Sequence, residues 1–200
     1  MDEDIRESIE AIEKELGLPK NFLQELWRED DWSFIIKLHA LMEAAVSYLL
    51  VHHFGDERLS QVFDFMELSD KRKGKMAFVS ELELLPIECR RFISKLSEIR
   101  NDLVHNITQV TFDLKAYVKA LNKAQLENFV KAFIASDLNK IDFGKDNEHH
   151  QEIIAEGAKG VIFQLSLSTL ELIYLKRWTA ETRRSIAKIA IEKMRVIEEQ

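Results

Sequence analysis

The chain has 200 residues, 46% of them hydrophobic and 32% charged, a composition that supports a buried core and excludes a disordered polymer. Six glycines and two prolines are too few for a turn-rich β architecture. A net charge of −7 disfavours indiscriminate nucleic-acid binding, and a single cysteine, Cys89, excludes an intrachain disulfide or a thiolate metal cage and suits a reducing cytoplasm.

The opening MDEDIRESIEAIEKEL is acidic and amphipathic, unlike a targeting peptide. Ile5, Ile9, Ile12 and Leu16 recur at helical spacing, and Gly17 ends that helix. Pro19 suits the start of a short helix to about Arg28. Ser33 is the expected cap of a long helix that runs to about Phe54 and stops at Gly55. It is apolar around most of its girth, as in the central member of a bundle. Lys37, His39, Glu43, His52 and His53 make it too polar for a membrane span. A shorter helix is expected over Leu59 to Leu68. Another, capped by Ser69 or Asp70, turns Met76, Phe78, Val79 and Leu82 inward.

Pro86 begins a helix with Phe92, Ile93, Leu96, Ile99 and Leu103 as its buried stripe. Val110 opens VTFDL, the best candidate for extended structure, and helical pieces follow around Leu114 to Leu121 and Gln125 to Ala135. SDLNKIDFGKDN breaks the pattern. Asn147 then caps a long helix to about Trp178, and Thr179 caps a last one to about Glu198, with Ile186, Ile189, Ala190, Met194 and Ile197 as a narrow apolar stripe. The expected fold is an all-α bundle of about eight or nine helices. It divides into an N-terminal helical segment over 1–32, a bundle over 33–178 and a C-terminal helix over 179–200.

Within this plain helical pattern, IRNDLVH at 99–105 gathers an arginine, an amide, a carboxylate and a histidine between aliphatics. On a helix Asn101 and His105, four apart, share one face, and the long Arg100 side chain can swing toward it. Such a set suits phosphoryl transfer without a metal. An imidazole moves a proton to or from a hydroxyl near neutral pH. A guanidinium holds two phosphate oxygens and neutralises charge in the transition state, and an amide orients either partner. RNA carries its own nucleophile, the 2′-hydroxyl. The structural alternative is that Arg100 and His105 only bond neighbouring helices.

Arg100, Asn101, three further positions and His105 resemble the signature of the HEPN superfamily (higher eukaryote and prokaryote nucleotide-binding domains), an arginine and a polar residue followed by three variable positions and a histidine. The resemblance implies a metal-independent endoribonuclease of a toxin–antitoxin, defence or RNA-processing system. Its site would be shared across a homodimer: Arg100 holds the phosphate, His105 handles the proton, and Asn101 assists. A longer similarity in helix order, over roughly residues 33–176, is to the mannitol operon repressor family. It implies instead a transcriptional regulator that works through a protein partner. No DNA-reading helix-turn-helix accompanies it.

Other residues are candidates for support. Glu43, on a polar stripe with His39 and Ser47, needs a partner in so apolar a helix and could bond Arg100 or His105. Asp102 lies inside the motif. Lys71, Arg72, Lys73 and Lys75 form the densest basic patch and could receive RNA phosphate, with Arg90-Arg91 and Arg183-Arg184 as weaker versions. Each of the pairs His52-His53 and His149-His150 diverges by about 100° on a helix and supplies one metal ligand at most, so no metal site is expected. No P-loop or dinucleotide-binding glycine pattern occurs, so no cofactor is expected. The expected setting is cytoplasmic, away from membranes.

Overall fold

The computed structural model of the chain describes residues 9–11, 13, 14, 17–105, 107–133 and 147–198; the side chains of 107, 109, 147, 148 and 190–198 are outside the description. The fold is an all-α multi-helix bundle, with no strand among the described residues. Its helices are α1 (Phe22–Arg28), α2 (Asp31–Phe54), α3 (Ser60–Asp64), α4 (Lys75–Glu81), α5 (Ile87–Val104), α6 (Leu114–Ala120), α7 (Lys123–Phe133) and α8 (Asn147–Glu198), with 3-10 turns at Glu57–Leu59 and Ile107–Thr111.

Helix α2 is the axis of the bundle. Phe34, Ile35, Leu38, Met42, Val46 and Leu50 are fully buried along it, and α1, α3, α4, α5 and α8 all pack against it. It begins two residues before the expected cap. Asp30, not Ser33, is the N-cap, and its carboxylate accepts the Ser33 N–H at 3.0 Å; the Ser33 hydroxyl first, and then this N–H, hold the carboxyl below its ordinary pKa. Gly55 ends it as expected, with φ 71° and its N–H on the Val51 carbonyl at 2.9 Å. Helix α1 takes its cap from a distance: the buried Glu13 carboxylate accepts the N–H groups of Asn21 and Leu23, both at 2.8 Å.

The boundary expected at Thr179 is absent. Helix α8 is continuous for 52 residues, about 78 Å at 1.5 Å per residue; neither glycine nor proline follows Gly160, so nothing breaks it near residue 179, where Thr179 turns its hydroxyl back onto the Leu175 carbonyl at 2.9 Å. It runs parallel to α2, with Lys159 on Asp31 (3.0 Å), Arg177 over the Tyr48 ring (4.9 Å) and His52 on Glu181 (3.1 Å) marking successive levels. Leu23 and Leu26 of α1 are buried in the common core.

Smaller elements also depart from expectation. The 59–68 helix is a 3-10 turn followed by the short α3. Met76 and Val79 of α4 are buried, but Phe78 and Leu82 face solvent. Val110 lies in a 3-10 turn instead of extended chain. SDLNKIDFGKDN lies outside the described residues up to Asp146, and so do the side chains of Ala190, Met194 and Ile197. Two helices, α2 and the 149–189 stretch of α8, are long and apolar enough to cross a membrane by length and composition, although two-thirds (67%) of the apolar window in α2 is buried in the bundle.

Candidate functional site

The motif occupies the C-terminal turn of α5. Leu96, Ile99 and Leu103 are buried and fix this turn against the core. His105 is the C-cap residue; its backbone stays right-handed (φ −85°, ψ −6°) and its N–H meets the Asn101 carbonyl at 3.3 Å. The helical register therefore carries through the motif, and Asn101 and His105 keep the same face. Arg100 and His105 leave the axis about 140° apart at 100° per residue. The guanidinium closes part of that angle: Arg100 Nη1 donates to Asn101 Oδ1 at 3.0 Å. Arg100 and Asn101 are half-buried, while Asp102 and His105 are exposed.

Behind this turn lies a polar cluster on the stripe His39, Glu43 and Ser47 of α2. Ser97 donates its hydroxyl proton to the Ile93 carbonyl at 2.9 Å and so receives the His39 Nε2–H at 3.1 Å. That arrangement places a ring proton on Nε2 of His39. Burial lowers the His39 pKa, and the positive charges of Arg100 and Lys75 push it the same way against the pull of Glu43.

Glu43 has the partner its setting requires, but not the expected one. Its carboxylate accepts the Lys75 ammonium at 2.9 Å instead of bonding Arg100 or His105. This also corrects the reading of Lys75 as a surface cation, since its side chain is 2% exposed and its charge is committed inside the bundle. Lys71, Arg72 and Lys73 are exposed, with the backbone N–H groups of Arg72 and Lys73 turned onto Asp70 at 2.8 and 3.1 Å. The first turn of α4 is capped by backbone: the N–H groups of Lys75 and Met76 reach the carbonyls of Glu67 (2.9 Å) and Leu68 (3.0 Å). Gly74 permits this approach, because a Cβ there would sit 2.5 Å from the Glu67 oxygen.

A second feature of α5 escaped the sequence. Beside α5, between α4 and α7, lies a cleft of about 810 Å³ lined by Lys71, Arg90, Arg91, Lys95 and Lys131. Lys131 comes from a different helix, and no one-dimensional pattern announces it. The pairs His52-His53 and His149-His150 remain apart from any ligand set: among the described residues no group of three or more His, Cys, Asp and Glu side chains is placed to hold a metal ion. Cys89 is half-buried, and burial raises its thiol pKa against a hydrogen bond from Thr169.

The chain matches no family model, no curated protein and no solved structure.

Proposed function

We propose that the chain is a metal-independent endoribonuclease whose reacting groups are Arg100 and His105. The observation that carries this reading is the Arg100 guanidinium turned onto Asn101, on the helix face where His105 stands exposed one turn further on. No carboxylate among the described residues forms an ion pair with Arg100, so its charge is left for an anion. The reaction is attack of an RNA 2′-oxygen on the adjacent phosphorus with departure of the 5′-oxygen. His105 takes the 2′ proton and a proton is returned to the leaving oxygen, while Arg100 holds the non-bridging oxygens. Asn101 sets the guanidinium, and Asp102 borders the site from solvent. Resemblance to the HEPN superfamily supports a homodimer in which two such turns meet, which would bring a second histidine to each arginine.

The test is product chemistry. Single-stranded RNA incubated with the chain in EDTA is expected to give 2′,3′-cyclic phosphate and 5′-hydroxyl ends, and the same sequence with every 2′-oxygen methylated is expected to stay intact. Intact RNA at high protein concentration refutes the nuclease.

A second reading, a non-catalytic regulator of the mannitol operon repressor type, draws on a different feature. Leu175, Trp178, Ile186 and Ile189 of α8 are exposed large apolar side chains at helical spacing. Such a stripe suits a protein partner. Intact RNA, together with a stable complex lost on Trp178→Ala, would favour that reading.

A further inference from the structure

The cleft along α5 concentrates positive charge in an acidic chain. Five cations line it against two carboxylates, Glu81 and Glu98, although the whole chain carries −7. Among the described residues only Lys95 is neutralised, by Glu98 at 2.8 Å. Lys71, Arg90, Arg91 and Lys131 form no ion pair among the described residues. Arg90 is pinned by a bond from its Nη1 to the Ser80 hydroxyl, while its buried Nε has no hydrogen-bond partner. Like charges gathered in one concavity repel, and they attract any polyanion in solution.

Register ties this cleft to the motif. Arg91, Glu98 and His105 are seven residues apart in turn, so each lies within about 20° of the last around α5. Arg91 and His105 are about 21 Å apart along the axis. The floor of the cleft thus continues, through Glu98 and Asp102, onto the exposed imidazole. Tyr117 adjoins this path: burial raises its phenol pKa, and the charges of Lys95, Asp102 and Glu98 all act on it. A compact anion would fill only the cleft. A strand anchored there by its phosphates would extend along the same face to His105.

We propose that the α4–α5–α7 cleft is a docking track for the phosphate backbone of single-stranded RNA, which it feeds toward the Arg100–His105 turn. The inference rests on the ribonuclease reading for its substrate class, but it concerns other residues and is measured without cleavage. Fluorescence anisotropy with a labelled, fully 2′-O-methylated single-stranded RNA reads binding alone. Arg91→Glu and Lys131→Glu are suitable variants because both side chains are exposed; Arg90 is avoided because it bonds Ser80. Each reversal is expected to weaken binding about tenfold or more at low salt. Each lost phosphate contact should flatten the slope of log K against log salt by about 0.7. Unchanged affinity in both variants, with native circular dichroism, overturns the proposal, and so does absence of binding at low salt. Binding of a nucleoside triphosphate but not of the oligonucleotide also overturns it, in favour of a small-ligand site. Cleft-dependent binding without any cutting of unmodified RNA upholds the track and refutes the nuclease. Cutting that both reversals leave unimpaired does the opposite.

Discussion

Replacing Glu43 by alanine strands the Lys75 ammonium, whose side chain is 2% exposed and whose only ion-pair partner among the described residues is Glu43, 2.9 Å away. Breaking a buried pair from one side costs about 3–5 kcal/mol, because the remaining charge has lost both water and its counter-ion. Glu43 is itself 34% exposed, so water can enter where the carboxylate stood. The expected loss is therefore at the lower end, about 3 kcal/mol, a large share of the roughly 5–15 kcal/mol that holds a domain folded. Urea unfolding followed by circular dichroism reads it as a lower midpoint at unchanged slope. The double change Glu43→Leu with Lys75→Met removes both charges while keeping comparable bulk, and should lie within about 1 kcal/mol of the wild type. A single change costing less than about 1 kcal/mol, or a double change as harmful as the single one, refutes the buried-pair account.

Gly74→Ala should destabilise the chain by at least about 1 kcal/mol, since the new Cβ meets backbone oxygens of Glu67 and Asp70 that cannot swing aside; a neutral result by urea titration would mean the loop moves freely. Asp30→Ala should cost about 1 kcal/mol through loss of the α2 cap, and Asp30→Ser should recover most of it. His39 titrates lower in the folded chain than the ordinary 6.5, so the unfolded chain binds the extra proton. Its contribution to stability is complete above about pH 6.5, falls as pH drops below that value, and levels off once the folded imidazole protonates. Unfolding free energies measured from pH 8 to pH 5 should fall less steeply in His39→Gln than in the wild type; parallel curves would show that His39 is not the group responsible.

Helical class, the order of most elements and the stop at Gly55 were legible because apolar spacing and a left-handed glycine act locally. The start of α2 was misplaced by the nearness of two good caps, and only the bond that the Ser33 N–H donates to the Asp30 carboxylate decides between them. Thr179 misled in the opposite sense: the hydroxyl that caps a helix start can equally bond the carbonyl four residues back in its interior. The Arg100–Asn101 contact followed from adjacent positions on one helix. The bond between Glu43 and Lys75, 32 positions apart, did not, because burial and not sequence distance chose the partner. The cleft was illegible for the same reason: Arg90-Arg91 stood out only as a weak basic pair, and Lys131 joins it only when α5 and α7 stand side by side.

Cutting of single-stranded RNA in EDTA, timed for the wild type, Arg100→Ala and His105→Ala, is the most direct trial of the Arg100–His105 site. Loss of the guanidinium should slow cutting by about 10²- to 10³-fold, as for removal of one transition-state donor, and loss of the imidazole by a comparable factor. Cutting at the wild-type rate by either variant, or no cutting by the wild type, contradicts it.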